Sequence, residues 1–149
     1  MSPILPFNII ALIIDFIGEN GDTNLLKKLA LVSHSFLQIC NKHLFATIEL
    51  YDHSYRHSSS KKGFVKLLKS RPDDVNYICK LTYKMGYNTN NDDHLLSPIL
   101  SNLLPTSHLN CLTITAAQQD WNTLDSSLSS ALLHLMHLPT INHIDLSSI

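Results

Sequence analysis

Apolar residues return along this chain in a fixed phrase, apolar-x-x-apolar-x-apolar, at Ile78 to Tyr83, Leu109 to Ile114 and Ile141 to Leu146, with a fainter copy from Phe45 to Leu50. The copies begin at 45, 78, 109 and 141, offsets of 33, 31 and 32 residues. A constant spacing of this size predicts stacked units, each burying its apolar face only against its neighbours. Each phrase reads as a short strand, and its intervening residues fall on the opposite face. That places Thr47, Glu49, Lys80, Thr82, Cys111, Thr113, His143 and Asp145 on one open, mostly polar surface.

Helical spacing precedes each phrase. A helix is expected from about Gly63 to Ser70, another ends near Leu104, and a third takes its apolar face from Leu124, Leu128, Ala131, Leu132 and Leu135. Pro72, Pro105 and Pro139 recur at nearly the same phase, where a residue unable to continue a helix turns the chain back toward the sheet. Pro98 breaks this phase, and Ser97 as cap with Pro98 as first helical residue would leave a helix of about two turns there.

The first fifty residues follow a different rule. Ile9, Ile10, Ile13, Ile14 and Ile17 predict a helix that Gly18 to Asn24 stops. Asp22 or Thr23 then caps a second helix carrying Leu25, Leu26, Leu29 and Val32, and Ser33 or Ser35 opens a third carrying Phe36, Ile39, Cys40 and Leu44. The polar, serine-rich stretch 51–62 reads as a loop, so the expected division is 1–50 helical, 51–62 linker and 63–149 strand-helix units. The predicted class is α/β, with a three-helix module followed by a short array on a parallel sheet.

Composition narrows the partners. With 149 residues, 44% of them apolar, and a net charge of -1, the chain is long enough for a core and has no broad basic footprint for nucleic acid or an anionic membrane. The stretch Arg56 to Arg71 is the one basic patch, with Lys61, Lys62, Lys66 and Lys69 expected on a solvated helix face. Cys40, Cys79 and Cys111 form no C-x-x-C pair, which points to a reducing compartment, cytoplasm or nucleus. The apolar start lacks a basic lead and is interrupted by Pro6 and Asp15, so it is not read as a signal peptide, and no stretch reaches membrane-spanning length.

Enzyme signatures are missing from the sequence: no nucleophile elbow, no phosphate-binding loop, no H-E-x-x-H, and only four glycines. Among nine histidines, His134 and His137 share a helical spacing and His53 and His57 a loop, but no ligand set accompanies either pair. Asp92 and Asp93 fit a helix N-terminus, Asp73 and Asp74 lie in a loop, and Cys40 fits a core position. No cofactor or metal is expected, and a histidine-based hydrolase is the weakest of three readings.

Leu5-Pro6, the pair Ile9-Ile10 with Ile13, the run Leu29-Ala-Leu-Val-Ser33, Phe36 and Leu44-Phe45 together resemble the F-box, and the order of box then repeats resembles F-box proteins of mushroom-forming fungi with irregular leucine-rich repeats. The resemblance implies that Leu5, Pro6, Ile9, Ile10, Ile13, Val32 and Phe36 bind a Skp-family adaptor. It also implies that the repeats, through Lys80, Thr82, Cys111, Thr113, His143 and Asp145, hold an unknown protein substrate for a cullin-RING ubiquitin ligase. Asn8 stands at a commonly acidic position, and the Gly18 to Asn24 connection is longer than the usual box turn. The repeats lack the customary asparagine at Gly86 and Ala117. The second reading is a scaffold in which the box only caps the array. Because Ile149 follows directly on a strand, with no closing helix, a fragment or incomplete gene model is expected.

Overall fold

The computed structural model describes residues 5–51, 60–85, 93–102, 107–116 and 121–147. Expectations placed on His53 and His57, Gly86, Asp92, Pro105 and Ala117 lie outside these residues. Two compact units divide the chain, Met1–Ala46 and Thr47–Ile149, so the first strand groups with the sheet rather than with the helical module ending at 50.

In the first unit, α1 spans Phe7–Glu19, α2 Thr23–Ala30 and α3 His34–Leu44. The caps fall on Asp22, whose carboxylate accepts from the Leu25 N–H at 3.0 Å, and on Ser33, whose hydroxyl accepts from the Phe36 N–H at 3.2 Å. Each satisfies an N–H that the first helical turn leaves without an intrahelical acceptor. Gly18 does not stop α1. The helix runs on to Glu19, and the link to α2 is only Asn20, Gly21 and Asp22, with Gly21 at φ 76°, a left-handed conformation open to glycine. Ile14, Leu26 and Cys40 form the buried centre, with Ile10, Ile17, Leu29, Phe36 and Ile39 packed around it.

In the second unit, β1 spans Thr47–Tyr51, α4 Ser60–Ser70, β2 Lys80–Met85, α5 Asp93–Asn102, β3 Cys111–Ala116, α6 Ser126–Met136 and β4 His143–Ser147. The strands lie in the order β1-β2-β3-β4, all pairs parallel. Thr47, Lys80, Cys111 and His143 stand side by side, as do Ile48, Leu81, Leu112 and Ile144. Each step across the sheet therefore advances the chain by the same interval seen in the sequence. The strand starts match as well: the Cys79 carbonyl accepts from the Asn110 and Cys111 N–H groups, and the Asn110 carbonyl from Asn142 and His143.

Leu81, Tyr83, Met85, Leu112, Ile114 and Ala116 share one core with Phe64, Leu68, Leu96, Leu100, Leu128 and Leu132, so α4, α5 and α6 cover a single face of the sheet. This arrangement explains the alternating strand burial, with every second residue left half-exposed on the helix-free face. Two sequence expectations shift. Helix α4 begins at Ser60, three residues early, and Lys61 in its first turn is buried with its ammonium 5.3 Å from the centre of the Tyr83 ring. Pro98 lies inside α5 and not at its start; it has no N–H for the His94 carbonyl, while buried Ser97 donates its hydroxyl to the Ser127 carbonyl at 3.0 Å and so ties α5 to α6.

Candidate functional site

Exposed large apolar side chains are distributed unevenly. Among the described residues, nine belong to the first unit and three to the second. Helix α1 carries two apolar stripes roughly a third of a turn apart: Ile10, Ile14 and Ile17 pack inward, while Ile9, Leu12, Ile13 and Phe16 are exposed, Phe16 by 67%. Leu5 and Pro6 ahead of the helix are exposed, as are Leu31 and Val32, which follow α2 and are 88% and 64% accessible. A unit of this size cannot bury every apolar residue it carries.

Of the residues expected to bind an adaptor, Leu5, Pro6, Ile9, Ile13 and Val32 are therefore accessible. Ile10 and Phe36 are only partly so: both pack on the core formed by Ile14, Leu26 and Cys40, because they fall on the inward faces of α1 and α3. The accessible set comes from α1 and the turn at 31–32, and α3 adds no large exposed apolar side chain. Leu31 entered the sequence reading only within the run Leu29 to Ser33, and Leu12 and Phe16 were not singled out at all. The signal that could have found them is that α1 is apolar over more than one face.

Polar contacts fasten α1 to α3. The Asp15 carboxylate meets His43 Nε2 at 2.8 Å and Lys42 Nζ at 2.7 Å. These bonds, the His43 bond foremost, hold the Asp15 carboxyl below its ordinary range. A carboxyl depressed in the folded state adds stability above its unfolded value of about 3.9 and loses it as the pH falls through the lower folded value. Asp15→Asn is therefore expected to flatten the fall in thermal stability between about pH 5 and pH 2.5, measured by calorimetry against the parent chain. Parallel curves would show that the bond contributes nothing. Asn8 is exposed and its amide oxygen accepts from the Ile9 N–H at 3.0 Å.

On the sheet, the six residues expected to contact a substrate come together in two adjacent rows. Lys80, Cys111 and His143 form one, and Thr82, Thr113 and Asp145 the next. A third row, Tyr51, Lys84, Thr115 and Ser147, was not anticipated, because the repeated phrase ends before it. Glu49, Tyr51 and Lys84 are joined at one end of this face. The Tyr51 hydroxyl and Lys84 Nζ, the latter at 3.3 Å, both donate to Glu49 Oε2, and the ammonium lies 4.7 Å from the Tyr51 ring centre. The Tyr51 hydroxyl is the main cause of two shifts: donating to Glu49 it lowers that carboxyl, and accepting from Lys84 Nζ at 3.5 Å it raises that ammonium. The face is shallow and of mixed sign.

Elsewhere the candidates resolve into structure. Asp74 is buried on a 3-10 turn, Pro72–Tyr77, against Arg71 at 3.1 Å, and burial pushes its carboxyl up. His137 closes α6 with its Nδ1 2.7 Å from the Leu133 carbonyl. Burial raises the Cys40 thiol. Among the described residues no three His, Cys, Asp or Glu side chains converge on a metal position, and no helix is long and apolar enough to cross a membrane. Lys62, Lys66 and Lys69, with Val65, Ser70 and Leu95, line an open cleft of about 480 Å³; Lys61 is absent from it because it is buried. Comparison with family models, curated proteins and solved structures returns no match.

Proposed function

We propose that the chain is a non-enzymatic adaptor. In this reading the helical unit docks, F-box-like, on a Skp-family protein and through it on a cullin-RING ligase, in the cytoplasm or nucleus. The helix-free face of the sheet, with Lys80, Thr82, Cys111, Thr113, His143 and Asp145, receives a protein substrate. The observation that carries the reading is the outer stripe of α1, where Ile9, Leu12, Ile13 and Phe16 stay accessible although a core lies one face away. Burying such a stripe against a partner is the ordinary source of affinity in a helix-mediated interface.

A binding assay with a purified Skp-family adaptor tests it. A complex is expected at micromolar concentration, and Ile13→Asp is expected to weaken it by about tenfold or more while leaving the unfolding temperature nearly unchanged, since Ile13 is 48% exposed. No complex with the parent chain removes the ligase role. Asn8, in place of the commonly acidic residue, favours the second reading, a cap for the strand-helix array; loss of folding in Ile13→Asp, rather than loss of a partner, would be its result.

A further inference from the structure

The basic stretch of the sequence folds into α4, and its lysines do not share one fate. Lys61 is buried over the Tyr83 ring, whereas Lys62, Lys66 and Lys69 are exposed and line an open cleft where α4 meets α5. The cleft lies on the helical side of the sheet, away from the helix-free face. Buried Val65 and partly buried Leu95 supply its apolar part. Ser70 adds no donor, because its hydroxyl donates to the Leu67 carbonyl at 2.8 Å. Charge in the cleft has one sign, since its described lining holds no carboxylate. Among the described residues Lys42, Lys84 and Arg71 each meet a carboxylate, while Lys66 and Lys69 meet none. A lysine in the last turn complements the helix dipole, which accounts for Lys69 but not for Lys66 in mid-helix. Spacings of three and four residues set like charges side by side, where they oppose one another until an anion lies between them.

We infer that this cleft binds an acidic peptide segment of another protein, with carboxylates beside Lys66 and Lys69 and one aliphatic side chain on Val65 and Leu95. Size and lining together select that ligand. A cavity of about 480 Å³ is within the range of sites that enclose organic side chains, and it is far larger than a lone phosphate or sulfate fills. Its apolar part rewards an aliphatic group, which a free inorganic anion lacks. Nucleic acid fits less well, because the described lining includes no aromatic side chain on which a base could stack. From Lys62 to Lys69 the helix advances by roughly 10 Å, the length of about three extended residues. One short segment therefore reaches the whole row.

Fluorescence polarisation on the full chain tests this, with a labelled peptide of one leucine between two runs of three glutamates. Saturable binding at micromolar to millimolar concentration is expected, weakening as salt rises from about 50 to about 300 mM. Lys66→Glu with Lys69→Glu should weaken it by about tenfold or more. Circular dichroism and the unfolding temperature should stay nearly unchanged, since both side chains are exposed. Lys27→Glu with Lys28→Glu on α2 makes an equal change of charge elsewhere and should alter the affinity by less than about twofold. Replacing the peptide's leucine by serine should weaken binding by about fivefold, and replacing its glutamates by glutamine should abolish it. No saturable binding, a reversal at 66 and 69 no more damaging than that at 27 and 28, or indifference to the leucine or the glutamates would each overturn the proposal. So would equal or tighter binding of a short single-stranded oligonucleotide or of phosphatidylserine vesicles.

Discussion

Leu112→Ala is expected to lower the unfolding free energy by about 2–5 kcal/mol, the range for truncating a fully buried leucine whose surroundings cannot close the cavity. Leu112 has no accessible surface, lies on a central strand and is flanked in its row by Leu81 and Ile144. Leu81→Ala should cost a similar amount, because Leu81 is 1% exposed in the neighbouring strand. Ile144→Ala, at the same place in the repeated phrase, should cost less than about 1 kcal/mol, since its side chain gives up little further burial. Urea denaturation of the three variants measures the series. Equal losses at 112 and 144 would mean that β4 is covered in solution as fully as β3. A small loss at 112 would mean that the row does not form the centre of the core.

Gly18→Ala is expected to destabilise the helical unit even though alanine is the better helix former. The gain in helix propensity is about 0.5–1 kcal/mol. Against it, a Cβ at this position falls inside contact distance of the His43 imidazole, including Cγ next to the main chain, which cannot swing aside as the end of a long side chain would. Overpacking of this kind costs about 1–3 kcal/mol. Here it also displaces a ring whose Nε2 is bonded to Asp15 at 2.8 Å. The net loss should therefore be on the order of 1–2 kcal/mol. It should appear in urea unfolding and in faster amide exchange along α1 and α3. Adding His43→Ala to Gly18→Ala should cost less than His43→Ala does in the parent chain, a coupling that isolates the ring as the cause. A neutral or stabilised Gly18→Ala would show that α1 and α3 stand further apart than this contact requires.

The parallel sheet was legible because its signal is local and repeated. The phrases at 45, 78, 109 and 141 each carry strand alternation, and the pairing Thr47, Lys80, Cys111, His143 keeps their spacing. The six polar positions of the candidate surface followed from the same alternation, and the buried face of α6, Leu128, Ala131, Leu132 and Leu135, followed from helical spacing. Helix starts were less legible. Lys61 counts as polar in any pattern, yet it is buried in the first turn of α4 with its ammonium over the ring of Tyr83, a residue 22 positions away in sequence. Pro98 reads as a helix start, but the site accepts it within α5, where Ser97 bonds across to α6.

The outer stripe of α1 shows the same division. Ile9, Ile10, Ile13, Ile14 and Ile17 are chemically alike, and sequence alone establishes that they form an apolar helix without saying which of them meet α2 and α3. Packing assigned Ile10, Ile14 and Ile17 to the core and left Ile9 and Ile13 outside with Leu12 and Phe16. Phe36 went inward for the same reason, by its place on α3. Periodicity, set by the geometry of one strand or helix, is written into neighbouring residues and determined the elements, their order and the parity of the sheet. Burial is a property of pairs of surfaces brought together from distant parts of the chain, so only the tertiary structure decided which apolar and charged side chains stay accessible.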